Sequence, residues 1–353
     1  MAQEEASAAG GLLKALESGD LERVRRAIAG DPGAARQPRV INEAAGHVFQ
    51  PAMAILVKHG ADLNAAWRGY RPLQNLIQSG HHGGGKPLAT RLRCLAWMLA
   101  HGADPEQTGA WPPARAVIVA AFGGHAEYIP HLRRPDDAFA AAALGDGRQV
   151  RRMVKKRSEF VRERDTGGLT ALQCAAGSRI PGPLVEIARV LLDAGADPGA
   201  KTKSWGDDID AVHLAASAKN AAMFELLLDR GANPSQALSS ALWNDREDMA
   251  RIALARGAKP DHATLEGRPL LNNLIRWGAF QGAVWLLGQG ASPNVADARG
   301  WTAVHQAASR GNEKMLRALL DAGGDIARRD NDGCVPRDRA SRDKILAMLG
   351  RKP

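Results

Sequence analysis

A short phrase recurs along the chain: Gly60-Ala61-Asp62, Gly102-Ala103-Asp104, Gly195-Ala196-Asp197, Gly231-Ala232-Asn233, Gly257-Ala258-Lys259, Gly290-Ala291-Ser292 and Gly323-Gly324-Asp325. The last three copies stand 33 residues apart. Self-similarity at such a period marks one supersecondary unit repeated along an axis, each copy burying its apolar side only by stacking on its neighbours. A repeat array also escapes the size limit of a single core, which a globular chain of 353 residues would exceed.

Between these phrases the pattern is helix, tight turn, helix. The clearest copy runs from Asp297 to Asp325: Gly300, Trp301, Thr302 and His305, then Ala307-Ala308, the turn Gly311-Asn312, and Met315, Leu316, Leu319 and Leu320 at helical spacing. Thr302 is placed to cap the first helix, and the Gly of each recurring phrase to close the second in the left-handed conformation. Thr170-Ala171-Leu172-Gln173 and Asp210-Ala211-Val212-His213 keep the helix-entry chemistry, whereas Pro72-Leu73 and Pro269-Leu270 keep the Pro and lose the Thr.

This pattern resembles the ankyrin repeat over roughly residues 11–350. The resemblance implies an all-α fold, an ankyrin-repeat solenoid of about 10–11 helix-turn-helix repeats with short β-hairpin-like fingers. Helix pairs are expected near 11–30, 39–59, 72–101, 113–133, 136–157, 170–194, 211–230, 236–256, 269–289, 302–322 and 335–349. Residues 1–10 are read as a disordered tail and 11–350 as one continuous array. The 42-residue interval from Gly60 to Gly102 places an insertion near 80–88, and the 26-residue interval from Gly231 to Gly257 removes a finger before the eighth repeat. The fifth repeat, opening at Pro135-Asp136-Asp137, has lost its finger as well.

Composition narrows the function classes. Aromatic residues are only 5% of the chain, and Cys94, Cys174 and Cys334 form no CxxC or Cys/His group, which argues for a reducing compartment and against a disulfide framework or structural zinc. No apolar run is long enough to span a bilayer, and Met1–Gly10 lacks the apolar centre of a secretory signal. A cytoplasmic monomer needing no cofactor is the expectation. The net charge of +9 favours acidic partners.

Several motifs imitate chemistry. Gly80 to Pro87 meets the GxxxxGK part of a phosphate loop, but Pro87 stands where a hydroxyl should bind metal and no strand precedes it. His81 and His82 lack a third ligand at suitable spacing. Asp207, Asp208 and Asp210 beside Trp205 make an acidic finger in which Asp210 reads as a helix cap and Trp205 and Asp207 as surface contacts. The resemblance gives His213 and His305 a structural role, since the family's His steadies the adjoining loop. Trp97 and Trp285 match buried second-helix positions. No catalytic or metal constellation is expected.

The resemblance also places recognition on the fingers and on the last turn of each first helix. Those positions are Trp67, Arg68 and Tyr70, then Phe122, then Trp243, Arg276, Trp277, Arg299, Trp301 and Arg310. Trp and Arg are the residues most often found at interface hot spots. The expected function is a protein-interaction scaffold whose partner has an anionic and apolar surface. The alternative is polyanion binding, to nucleic acid or an acidic membrane surface, through the basic second helix bearing Arg148, Arg151, Arg152, Lys155, Lys156 and Arg157.

Overall fold

The computed structural model describes residues 2–80, 85–109, 112–204, 207–264 and 267–350. The chain divides into two compact units, Met1–Ala211 and Val212–Pro353.

In the first unit, helical hairpins stack side by side in two layers. The pairs are α1 (Ala2–Ser18) with α2 (Leu21–Gly30), α3 (Pro38–Gly46) with α4 (Gln50–Lys58), and α5 (Pro72–Ile77) with α6 (Leu88–Ala100). They continue as α7 (Ala116–Gly123) with α8 (Ile129–Leu132), α9 (Ala138–Ala143) with α10 (Gly147–Lys156), and α11 (Ala171–Gly177) with α12 (Leu184–Asp193). First helices pack on first helices, α3 on α5, α5 on α7 and α9 on α11, while α2 meets α4 and α10 meets α12. Fully buried alanines at 44, 45, 116, 120, 121, 140 to 143, 175 and 176 let the first helices approach closely.

The second unit takes up the series at α13 (Ala211–Ser217), whose first residue is the boundary, with α14 (Ala221–Asp229). The pairs α15 (Pro234–Trp243) and α16 (Glu247–Ala255), α17 (Leu270–Trp277) and α18 (Phe280–Gly288), and α19 (Ala303–Arg310) and α20 (Glu313–Asp321) follow. Last comes a 3-10 turn, Pro336–Arg339, with α21 (Asp343–Met348), so the final first helix is reduced to one turn. Ten of the eleven anticipated helix pairs are present, and the last keeps only its second helix. The glycines of the seven recurring phrases have φ between +83° and +96°, the left-handed closure the sequence called for.

At the N-terminus the structure departs from the sequence reading: α1 begins at Ala2, inside the segment taken for a disordered tail. Residues 2–9 are dominated by Ala and Glu, strong helix formers.

One device ties several of the first helices to the loop of the following repeat. Asn42 Nδ2 donates to the Ala65 carbonyl (2.9 Å), Gln74 Nε2 to Gln107 (2.8 Å) and Gln173 Nε2 to Ala200 (3.0 Å). In the second unit Asn272 Nδ2 donates to Trp301 (2.7 Å) and His305 Nε2 to Cys334 (3.2 Å). These side chains are buried and satisfy carbonyls that the short fingers leave unpaired. The fingers themselves are minimal, with single bridges Trp67↔Tyr70, Gly109↔Ala114 and Ala263↔Pro269 and one hairpin, β1 (Thr202–Ser204) with β2 (Asp207–Ile209). Residues 133–137 join α8 to α9 and residues 230–233 join α14 to α15, stretches too short to fold into a finger.

Candidate functional site

In the second unit, α15, α17 and α19 stop at equivalent points, where Asp245, Gly278 and Gly311 turn left-handed at φ +52°, +87° and +65°. The residues just before these stops therefore occupy one end of successive first helices: Trp243, then Arg276 and Trp277, then Arg310. Trp277 is 59% exposed, with the Arg276 guanidinium 5.3 Å from its ring centroid. The Arg310 guanidinium reaches back across one repeat, 3.9 Å from where a Cβ on Gly278 would stand. Trp243 is half-buried.

Trp301 is held differently. Its ring lies between the guanidinium groups of Arg299 (4.6 Å) and Arg339 (5.3 Å) and stacks on His305 at 6.3 Å. Arg339 is fixed by the fully buried Asp330 carboxylate at 2.7 Å, and the Trp301 carbonyl is the one Asn272 binds. This ring belongs to the frame of the repeat, whereas Trp277 stands outside it.

In the first unit, Trp67 and Tyr70 exchange backbone hydrogen bonds of 2.8 and 3.0 Å around Arg68 and Gly69, which have φ +50° and +79°. This is a two-residue hairpin of the type I′ kind, and Arg68 adopts its left-handed conformation at a cost of about 1 kcal/mol. Arg39 and Arg68 flank the Trp67 ring at 5.3 and 4.8 Å. A groove of about 750 Å³ opens here, lined by Glu43, His47, Trp67, Arg68, Tyr70 and Asn75 among others. Phe122, by contrast, lies on Gly177, where a Cβ would stand 2.6 Å from the ring, so it fills the joint between α7 and α11.

Sequence reasoning missed the cluster around Arg115. This buried side chain donates to both Asp137 oxygens (3.1 Å from Nη2 to Oδ1) and to Glu106 (3.1 Å), with Asp165 at 3.5 Å. It occupies the place of the fifth repeat's missing finger. The fingers on either side close over that gap until Gly167 touches the Pro113 carbonyl, where a Cβ would come within 2.2 Å. Burial raises the Asp165 carboxyl above its ordinary range against the opposing pull of the Leu169 N–H and of Arg115. Arg115 at the N-cap of α7 was the available signal, and it is a weak one because Arg71 holds the same place in α5.

Arg148, Arg151, Arg152, Lys155 and Lys156 are all exposed on α10, and Arg157, just beyond it, pairs with Glu163 at 2.6 Å.

A family model described as "Ankyrin repeats (many copies)" matches residues 273–320, and one described as "Ankyrin repeat" matches 167–203 and 208–237. The matched segments are the helical hairpins and fingers just described. The chain is an ankyrin-repeat protein. Similar curated proteins are an ankyrin repeat-containing protein, P1E11.10, of Schizosaccharomyces pombe, 48% identical over 14% of this chain, and calmodulin-binding transcription activator 6 of Arabidopsis thaliana, 36% identical over 25%. The matches span 24% and 13% of those two proteins. Among solved structures, the ankyrin repeat domain of Bcl-3 is 25% identical, with 60% of this chain and 96% of that one covered and a TM-score of 0.49. The human ASB11 ankyrin repeat domain is 21% identical, with 63% and 100% covered and a TM-score of 0.49.

Against the ankyrin pattern, the remaining candidates take structural places. His305 Nδ1 accepts from the Thr302 N–H at 3.2 Å while Nε2 donates to the next loop, and burial holds its pKa below the usual histidine value. Thr170 and Gln173 build the same capping box. Ser239 Oγ lies 2.8 Å from His262 Nε2, a pairing the sequence did not reveal. His262 Nδ1 donates to the Lys259 carbonyl, so the pair laces a finger to α15. Asp210 is buried against Lys201 at 2.6 Å, and His213 is half-buried. Burial pushes the Cys94 thiol up to about 12 and the Cys174 thiol well above its ordinary value, which keeps both protonated at neutral pH.

Trp97 and Trp285 are not core residues as the spacing suggested. Both are half-buried, Trp97 stacked on His101 at 4.4 Å and Trp285 under Arg251 at 5.5 Å, because the outer layer of second helices covers only one side of each ring. Among the described residues, no three His, Cys, Asp or Glu side chains are grouped to hold a metal ion, and no helix is long and apolar enough to cross a membrane. His81, His82 and Trp205 lie outside the described residues.

Proposed function

We infer that this chain works as a protein-interaction module, as ankyrin repeats generally do, and the matched segments support that reading. We propose that it is a non-catalytic scaffold holding a protein partner on the first-helix ends and fingers of residues 212–353. Trp277 carries this reading: a large ring exposed at 59%, at a position that stacking does not require, with the Arg276 guanidinium over it and that of Arg310 beside the neighbouring Gly278. Such a ring supplies contact area while the arginines meet carboxylates around it, which suits an anionic and apolar partner surface. The groove beside Trp67 and Tyr70 offers the first unit a second contact of the same chemistry.

The test is quantitative affinity capture from native lysate with wild type and Trp277→Ala. Specific partners should fall at least about tenfold, the range expected for a hot-spot residue. Equal recovery of the same proteins by the variant would remove Trp277 from the interface and the reading with it.

A further inference from the structure

On α10, Arg148, Arg151, Arg152, Lys155 and Lys156 recur at i, i+3, i+4, i+7 and i+8, so five cations form one stripe about 12 Å long on a single helical face. The opposite face does the packing: Gln149 and Val150 are buried, and Gln149 Nε2 donates to the Pro135 carbonyl at 2.8 Å. Among the described residues no carboxylate lies within ion-pairing distance of these five. Of the nearby acids, Asp146 caps α10 and holds Arg133 at 2.6 Å, and Glu163 holds Arg157. Arg133, Arg148 and Arg152 rim a hollow of about 620 Å³ at the start of the helix. Three of the pairs stand at i,i+4, where like charges repel, and among the described residues no ion pair offsets that repulsion.

We propose that this face of α10 binds the phosphate backbone of duplex nucleic acid, independently of sequence and through residues other than those proposed to hold the protein partner. Each rival occupant needs something this face lacks. A membrane-surface helix requires exposed bulky apolar residues beside its cations, and here Met153 and Val154 are half-buried and Val150 fully so. A single strand is held by stacking on aromatic rings, but the stripe carries none and the one nearest in sequence, Phe160, is fully buried. A protein partner requires a central apolar anchor, and the stripe has none. A duplex backbone requires only a row of cations, and long exposed Arg and Lys side chains supply it.

The experiment is fluorescence anisotropy of the full chain with a labelled duplex of mixed sequence over a series of NaCl concentrations. Five backbone contacts predict a slope of log K against log salt of about −4.5. Changing all five cations to Gln should leave melting unchanged, flatten the slope and weaken binding at least about a hundredfold at low salt. Should that variant fail to fold, Lys155→Gln with Lys156→Gln should still reduce the slope by about 2. Arg276→Gln with Arg310→Gln should bind the duplex as wild type does. Salt-insensitive or undetectable binding, an unchanged slope in the folded variants, tighter binding of a single strand, or retention on phosphatidylserine vesicles in place of the duplex would each overturn the proposal.

Discussion

The stretch from residue 105 to 170 and the stretch from 290 to 342 solve the same joining problem by different chemistry. In the later stretch every repeat keeps its finger, and neutral hydrogen bonds from Asn272 and His305 to the next loop close each joint. In the earlier one a finger is missing, the neighbouring fingers meet across the gap, and a buried arginine among carboxylates fills what remains. A regular repeat is fastened here by local dipoles, whereas the skipped finger before α9 leaves a space that long charged side chains span. Such a joint should be harsher to break and more sensitive to pH.

The largest effect expected is that of Arg115→Met. Removing the cation strands Asp137 and Asp165 in a buried site, which should cost about 3–5 kcal/mol in denaturant unfolding of the first unit. The pH dependence gives a second check. The Asp165 carboxyl is already raised by burial, so the stability tied to it is fully present below the unfolded value of 3.8 and is lost as pH rises through the folded one. Without Arg115 it should rise further, and the gap between variant and wild type should narrow on acidification from neutral pH. A gap that widens instead would show that the cluster is not what fills the space.

A smaller effect separates the two tryptophans of the regular stretch. Trp301→Ala removes a ring held between Arg299 and Arg339 and should lower stability by about 2 kcal/mol, while Trp277→Ala should stay within about 0.5 kcal/mol. Thermal melts of the two variants read this directly. Equal losses would mean that Trp277 also belongs to the frame.

What the sequence made legible follows the same division. Helix pairs, glycine stops and the shortened connections came from local rules, since a helix entry such as Thr302 to His305 and a stop such as Gly290 are each encoded within a few residues. The Arg115 cluster draws on Glu106, Asp137 and Asp165, brought together only because a finger is absent, and no spacing rule announces that. The candidate site was legible by position but not by exposure. Trp277 and Trp301 occupy recognition positions of adjoining repeats, and what separates them is Arg339, which arrives from the next repeat along. Trp97 and Trp285 fail for a related reason: helical spacing gives the inward direction without telling how much of a large ring the neighbouring helix covers.

The smallest predicted effect tests whether the neutral joints are interchangeable. His305 and Gln173 stand at the same register point, each accepting from the N–H of its capping Thr and donating to the following loop. They differ in that His305 can titrate. Its pKa is lowered by burial, so its contribution is present above the unfolded value of 6.5 and is lost as pH falls through the folded value. His305→Gln should keep the stability of the second unit near neutral pH and flatten its decline on mild acidification. His262, depressed by burial in the same unit, should keep the remaining slope from vanishing. Melting midpoints of wild type and variant between neutral and mildly acidic pH decide the matter. A variant already weaker at neutral pH would mean that the imidazole contributes shape that Gln cannot copy, and that the regular joints are individually fitted.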